Sequence, residues 1–149
     1  MKVILVSGTP GTGKTTYAKK LAKEKNYVYV DVNKIIDKDN LVTDYDKIRK
    51  TKIIDTILLN KSIIKLIKEG KKEKTKGLVI DSHLSHYLPK RYSDLCIITK
   101  CNLKELKKRL VKRGYDKLKI RENLDAEIFD TCRVEALEIG HKVKTINTD

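Results

Sequence analysis

A glycine-rich segment near the start of the chain has the residues of a loop that binds phosphate groups. Residues 8–16 read Gly-Thr-Pro-Gly-Thr-Gly-Lys-Thr-Thr, which matches the pattern G-x-x-x-x-G-K-[S/T] of the phosphate-binding loop, or P-loop. Its glycines let backbone N–H groups surround a phosphate beside the positive end of the following helix. Lys14 reaches the β- and γ-phosphates, and the Thr15 hydroxyl coordinates Mg²⁺. The segment therefore predicts a site for ATP or a similar triphosphate.

A carboxylate and an imidazole follow a second apolar segment. Residues 78–80 are Leu-Val-Ile, Asp81 comes directly after them, and His83 lies two positions further on. A carboxylate at the end of a strand orients Mg²⁺ or its bound water beside the phosphates. An imidazole there could position water, act as a base or contact a second substrate. We therefore predict that Asp81 acts at the metal and His83 at the mouth of the same cleft, whereas His86 is predicted to be a loop residue.

Three arginines lie within or after the helix that we expect over Asn102–Lys112. Arg113 is followed by Gly114, which suits both the end of a helix and a hinge. During phosphoryl transfer, an arginine on a segment that closes over the nucleotide stabilises the charge on the transferring group and helps to exclude water. Arg113 is the best-placed candidate, and Arg109 and Arg121 are weaker ones.

Five apolar runs must supply the strands that position these groups. Four of the runs are continuous, which is typical of strands buried on both faces of a parallel sheet, and the last one, Val143–Ile146, shows the pattern more weakly. The five runs cover Val3–Val6, Tyr27–Val30, Leu78–Ile80, Leu95–Ile98 and Val143–Ile146. Helical spacing predicts helices over Lys14–Lys25, about Asp46–Glu69, Asn102–Lys112 and Leu124–Ile139. This alternation predicts a three-layer α/β fold of the P-loop NTPase type with a five-stranded parallel sheet.

The composition limits the classes of protein that the chain can represent. Its 149 residues fit one domain, 1–149, and its net charge of +14 attracts phosphorylated ligands, RNA or acidic proteins. A lysine-rich surface selected for solubility or heat fits this charge equally well. The three cysteines lack zinc-site spacing. No run has the length of a membrane span and no signal-peptide layout is present, so a cytoplasmic protein without membrane contact is expected.

The nucleotide class can be narrowed further. Guanine-specific P-loop proteins read the base with an Asn-Lys-x-Asp segment, and residues 33–37, Asn-Lys-Ile-Ile-Asp, carry one residue too many and lie too early. The short chain also lacks the additional motifs of motor and transporter ATPases. Small kinases and compact ATPases remain.

The motifs taken together resemble one family. They are Gly8–Thr16, Asp81-x-His83, Pro89-Lys90-Arg91, Arg113-Gly114-Tyr115 and Glu122–Phe129, and over nearly the whole chain they resemble the adenylate kinase isoenzyme 6 family. The resemblance implies a nucleoside monophosphate kinase fold with a flap at about residues 31–54 and a lid at about residues 112–122. It implies adenylate kinase activity on ATP and AMP with Mg²⁺, ATPase activity, and a role in maturing the small ribosomal subunit through a ribosomal protein of its platform.

The resemblance also assigns site residues. The ATP site falls on Gly11, Gly13, Lys14, Thr15, Thr16 and Arg113. Asp81 and His83 form the strand-end pair that joins Lys14 and Arg113 in catalysis, and Thr15 and Asp81 hold the metal. The only arginine of the flap is Arg49, and the sequence does not identify the ligand of the AMP phosphate. Members of the family continue past the last strand with a loop and a final helix that help to frame the adenine.

Two alternatives remain open from the sequence. The first is a P-loop kinase for another small-molecule acceptor, of the shikimate or nucleoside type. The second is an ATP-dependent assembly factor with little kinase turnover, whose basic surface contacts rRNA or an acidic tail.

Overall fold

The computed structural model describes residues 1–149, which form seven strands and six helices. The strands are β1 (Lys2–Ser7), β2 (Val28–Asp31), β3 (Val42–Asp46), β4 (Thr51–Ile54), β5 (Gly77–Asp81), β6 (Leu95–Lys100) and β7 (Val143–Asn147). The helices are α1 (Lys14–Lys25), α2 (Val32–Lys38), α3 (Thr56–Lys72), α4 (Leu103–Lys112), α5 (Lys117–Ile128) and α6 (Thr131–Ile139). Two short 3₁₀ turns, Ser85–Tyr87 and Lys90–Tyr92, lie between β5 and β6.

The main sheet is parallel and has five strands in the order β2-β5-β1-β6-β7. The central strand β1 pairs with β5 so that Val6 lies opposite Asp81. The P-loop that follows β1 and the carboxylate that ends β5 therefore leave the sheet side by side at its carboxyl edge, which is where open α/β sheets bind ligands. The predicted α/β fold with five parallel strands is confirmed.

The apolar side chains of the central strand alternate between two helical layers. Val3 and Leu5 belong to a core cluster with the inner face of α3, which contributes Leu59, Ile63 and Ile67. Ile4 and Val6 face the other way and cluster with α1 through Ala18, Leu21 and Ala22. Full burial of each large apolar side chain contributes about 1.5–3 kcal/mol. Both faces of the sheet are covered, which explains why the strands read as continuous apolar runs.

The long helix predicted from about Asp46 is wrong at its start. The segment before α3 forms an antiparallel hairpin of β3 and β4, with Tyr45 opposite Lys52. The helix begins only after Asp55, whose side chain accepts hydrogen bonds from the backbone N–H groups of Ile57 and Leu58. Ile53 and Ile57 are four positions apart and so imitate one face of a helix, although Ile53 belongs to a strand.

The single helix predicted over Leu124–Ile139 is also wrong. Helix α5 begins earlier, after Asp116, which caps it by accepting from the backbone N–H of Lys119. The chain then breaks at Asp130, whose φ of 56° is left-handed and separates α5 from α6. Helix α2 and the hairpin have no counterpart among the predicted elements. No helix has both the length and the apolar character needed to cross a bilayer.

Candidate active site

A cleft of about 780 Å³ opens at the carboxyl edge of the sheet. Its walls come from the P-loop, the ends of β2 and β5, helix α2, the hairpin β3–β4 and the residues that join α4 to α5. The predicted site residues all line it: Gly11, Gly13, Lys14, Thr15, Thr16, Asp81, His83 and Arg113. Groups that come from distant parts of the chain therefore face one space.

The backbone of the P-loop requires glycine at two of its tight positions. Gly8 has a φ of 144°, and a Cβ placed there would lie 2.6 Å from Thr99 Oγ1 and 2.7 Å from the Thr99 carbonyl oxygen. Gly11 has a φ of 93°, and its Cβ would come within 3.0 Å of Leu106 Cδ1. Left-handed backbone and close packing both exclude a side chain at these positions. The loop can thus curl with its N–H groups toward the cleft.

Lys14 lies half-buried at the first turn of α1. Its Nζ donates to the carbonyl oxygen of Thr9 at 3.2 Å. Burial lowers the pKa of Lys14 to about 8, and the negative charge of Asp81 offsets part of this effect. A phosphate group bound beside Lys14 would favour the charged ammonium and raise that pKa again.

Asp81 accepts hydrogen bonds from two hydroxyl groups in the cleft. Thr15 Oγ1 donates to Asp81 Oδ2 at 2.8 Å, and the Tyr29 hydroxyl donates to the same oxygen at 2.6 Å. Burial and the Asp81 carboxylate raise the pKa of Tyr29 well above its usual range. Mg²⁺ takes oxygen ligands, commonly one or two carboxylates together with substrate phosphates. The Thr15 and Asp81 oxygens fit that donor set.

His83 and Arg113 line the cleft from two connecting segments, the one that follows β5 and the one that follows α4. His83 is exposed to the cleft, and its pKa falls below the usual value because protein atoms displace water from the ring and Lys14 repels a second positive charge. The ring is therefore neutral at pH 7. Arg113 ends α4 directly before Gly114, whose φ is 80°. No acidic side chain lies within 4.0 Å of the Arg113 guanidinium.

The two weaker arginine candidates point elsewhere. Arg109 donates to the Thr148 carbonyl oxygen at 2.9 Å and to the Gly11 carbonyl oxygen at 3.3 Å, so it supports the outer side of the P-loop. Arg121 pairs with Asp125 one turn along α5 at 3.4 Å and does not line the cleft.

His86 lies in the connection between β5 and β6, as predicted for a loop residue, but its side chain is a buried anchor that the sequence did not reveal. The side chain is 1% exposed. Its Nδ1 lies 2.7 Å from Ser7 Oγ, at the base of the P-loop, and its Nε2 lies 3.4 Å from Glu135 Oε1 on α6. The histidine thus ties the segment that carries His83 to the end of β1 and to α6.

Glu127 on α5 is a second buried residue that supports the P-loop. Its carboxylate accepts from Thr9 Oγ1 at 3.1 Å, from Lys100 Nζ at 2.9 Å and from the backbone N–H of Cys101 at 3.0 Å. The residue belongs to the segment Glu122–Phe129 that carries part of the family resemblance, but the sequence assigns it no role. Its partners come from two separate segments, the P-loop and the end of β6.

The hairpin and α5 meet across the mouth of the cleft. Arg49 Nε lies 3.0 Å from Glu122 Oε1, and Lys50 Nζ lies 3.2 Å from Asp116 Oδ2. Lys119 Nζ donates to the Lys50 carbonyl oxygen at 2.8 Å. The residue ranges predicted as flap and lid are therefore in contact, through charged groups that remain partly exposed.

Comparison with known proteins identifies clear relatives. A family model described as an AAA domain matches residues 4–130. A Methanosarcina acetivorans protein named "Putative adenylate kinase" is 39% identical over 147 residues, covering 98% of this chain and 77% of its own. The "Adenylate kinase isoenzyme 6 homolog" of Caenorhabditis elegans is 32% identical, covering 98% and 81%. The Saccharomyces cerevisiae "Adenylate kinase isoenzyme 6 homolog FAP7" is 34% identical, covering 91% and 66%.

Solved structures agree in fold. An unliganded sugar kinase from Janibacter has a TM-score of 0.68 at 17% identity, covering 99% of this chain and 85% of its own. Shikimate kinase from Bacteroides thetaiotaomicron has a TM-score of 0.62 at 16% identity, covering 98% and 85%. At these identities the likeness shows the fold alone.

Proposed function

Since the chain belongs to the adenylate kinase isoenzyme 6 family, we propose that it transfers the γ-phosphoryl group of ATP to AMP and so produces two molecules of ADP. The observation that carries this proposal is the shared cleft. The P-loop lysine, a strand-end carboxylate and an unpaired arginine line the same cleft of about 780 Å³ as residues of α2 and of the hairpin.

Different residues of the cleft would have different roles in phosphoryl transfer. We assign the ATP phosphates to Gly11, Gly13, Lys14 and Thr16, with the ammonium of Lys14 on the β- and γ-phosphates. Thr15 and Asp81 would hold Mg²⁺, which neutralises charge on the phosphate oxygens when bound. Arg113 would meet the equatorial oxygens of the transferring group, where negative charge spreads in the transition state.

ATP hydrolysis is the second activity that we propose for this cleft. His83 is neutral at pH 7 and exposed to the cleft, so an unprotonated ring nitrogen can accept a hydrogen bond from water. Hydrolysis would proceed when water takes the place of the acceptor. The same His83 would contact the acceptor during transfer.

Steady-state rates with a panel of acceptors test the enzymatic proposal. ATP consumption is measured with ATP alone, with AMP, with other nucleoside monophosphates, and with shikimate or a nucleoside. We expect AMP to give the highest rate, and Lys14→Ala to abolish it while circular dichroism stays normal. Equal rates with and without AMP would leave an ATPase only, and a faster rate with a non-phosphorylated acceptor would indicate a different kinase.

We further propose that this turnover serves maturation of the small ribosomal subunit in the cytoplasm. Family membership beside the isoenzyme 6 homologues supports this proposal, as does the net charge of +14, which attracts rRNA or acidic protein segments. The direct partner would be a ribosomal protein of the platform. Titrating that protein against the ATP-loaded and ADP-loaded forms should give different affinities, and equal affinities would contradict a nucleotide-dependent timer.

A further inference from the structure

We propose that Tyr29 is a positioning residue for the metal site, because its hydroxyl holds one oxygen of Asp81 and so leaves the other oxygen available to Mg²⁺ or to a water molecule bound to it. This inference rests on the proposed binding of ATP with Mg²⁺. It adds a residue that belongs to none of the motifs behind the family resemblance.

The two oxygens of the Asp81 carboxylate have different surroundings. Oδ2 accepts from Thr15 Oγ1 at 2.8 Å and from the Tyr29 hydroxyl at 2.6 Å. Oδ1 accepts no hydrogen bond from the protein and is not sealed off from solvent, and Asp81 lines the cleft. No lysine or arginine nitrogen lies within 4.0 Å of the carboxylate. Oδ1 is therefore the oxygen that can bind a cation in the cleft.

The two hydroxyl donors differ in their relation to a ligand. Thr15 lines the cleft and is itself a proposed Mg²⁺ ligand, so its contacts change when the metal binds. Tyr29 does not line the cleft. Its strand β2 pairs with β5 so that Tyr29 lies opposite Val79 and Asp31 lies opposite Asp81. The bond from Tyr29 thus joins two neighbouring strands and does not require a bound nucleotide.

The ring of Tyr29 is held from the side of helix α1. It packs against the apolar cluster between α1 and the sheet, and Lys19 Nζ lies 5.5 Å from the ring centroid, within the range of a cation–π interaction. Burial and Asp81 raise the pKa of Tyr29 well above its usual range, so the hydroxyl keeps its proton at neutral pH. The side chain is therefore a fixed donor behind the carboxylate.

The expected effect follows from how outer hydrogen bonds act on metal ligands. Such bonds orient a ligating carboxylate, and their removal typically weakens metal binding by about 10-fold to 100-fold. Thr15 still donates to Oδ2 when the Tyr29 hydroxyl is removed. We therefore expect a loss at the low end of this range.

Calorimetry with a non-hydrolysable ATP analogue tests the inference without any phosphoryl transfer. The affinity for the analogue is measured with Mg²⁺ and with a chelator, and the ratio of the two affinities reports the metal site. For Tyr29→Phe, which keeps the ring, we expect this ratio to fall about tenfold. The affinity measured with the chelator should stay within about twofold. Thermal unfolding confirms that the variant is folded.

Tyr27→Phe is the matched control. Tyr27 packs against the same apolar cluster and has a lysine, Lys25, over its ring at 5.9 Å, but its hydroxyl does not bond to Asp81. The same chemical change should therefore leave the affinity ratio unaltered. An unaltered ratio in Tyr29→Phe, or an equal fall in Tyr27→Phe, would overturn the positioning role.

Asp81→Asn shows whether Tyr29 acts through the carboxylate. This variant should lower the affinity ratio by itself, and adding Tyr29→Phe to it should lower the ratio no further. A further fall would assign Tyr29 a structural role independent of Asp81 and so contradict the inference. If Asp81→Asn leaves the ratio unaltered, the proposed metal role of Asp81 fails together with the inference. A fall in Asp81→Asn without one in Tyr29→Phe overturns the role of Tyr29 alone.

Discussion

Lys14 is a residue whose charge is expected to respond to the substrate. Burial lowers its pKa to about 8, so a fraction of the nucleotide-free protein carries a neutral amine near that pH. Triphosphate bound in the P-loop places negative charge beside Nζ and raises the pKa. Binding must therefore be coupled to uptake of a proton, because the bound form holds more protons than the free form.

Calorimetry of ATP binding at pH 8 measures this coupling. Titrations in buffers with different ionisation enthalpies should show uptake of about half a proton per site, as expected for a group with a pKa near the working pH. The uptake should diminish toward pH 6.5, where Lys14 is already charged. Lys14→Met should bind weakly and lose the buffer dependence. Binding enthalpies that do not change with buffer in the unsubstituted protein would contradict the lowered pKa.

The residues that the sequence predicts well are those whose partners are nearby in the chain. Lys14 and Thr15 are recognisable because the loop that positions them is a continuous pattern. Tyr29 is not, since its bond to Asp81 spans 52 positions, and in the sequence it reads as one more aromatic residue of an apolar strand. The role of His86 depends on Ser7, 79 positions away, and is equally invisible before the chain folds.

Helix α5 reaches the P-loop through one buried carboxylate. Glu127 is 6% exposed and connects α5 to Thr9 of the loop and to Lys100 at the end of β6. Removing one partner of a buried ion pair leaves the other charge without compensation, which typically costs about 3–5 kcal/mol. Lys100 is 23% exposed and also pairs with Asp130 Oδ1 at 2.9 Å, so water and this second carboxylate would relieve part of that cost.

We expect Glu127→Ala to lower the free energy of unfolding by about 3 kcal/mol and to weaken ATP binding through the unsupported loop. Chemical denaturation with a reversible two-state fit measures the first effect. Glu138→Ala is the control, because Glu138 is exposed and forms no ion pair on the neighbouring helix α6; its effect should stay within about 0.5 kcal/mol. Equal losses in both variants would show that Glu127 does not support the loop.

The helices whose bounds the sequence predicts wrongly lack a local pattern that marks where they begin or end. The start of helix α1 is marked by the P-loop pattern directly before it, whereas the start of α3 depends on Asp55 as a cap and on the hairpin before it. The spacing of isoleucines alone does not distinguish strand from helix here, because Ile53 of β4 and Ile57 of α3 are four positions apart, as on one face of a helix. At the break between α5 and α6, Asp130 adopts a left-handed backbone conformation. Because Asp130 is not a glycine, the sequence does not reveal this break.

The whole molecule combines a basic surface with a cleft that charged contacts close at its mouth. The net charge of +14 draws phosphorylated ligands toward the molecule, while Arg49 and Lys50 contact Glu122 and Asp116 across the entrance. Exposed ion pairs of this kind are worth about 0.2–1 kcal/mol each. We therefore expect these contacts to be weak enough to break when nucleotides exchange.

The central claim is that one cleft transfers phosphoryl groups between two nucleotides, and the reverse reaction tests it most directly. The protein is supplied with ADP and Mg²⁺ alone, and the products are separated by ion-exchange chromatography. Transfer between two bound ADP molecules forms one AMP for each ATP, so AMP should accumulate in an amount equal to the remaining ATP plus any ATP that is hydrolysed, and Lys14→Ala purified in the same way should yield neither nucleotide. Absence of ATP from the unsubstituted protein, with or without release of inorganic phosphate, would contradict the account.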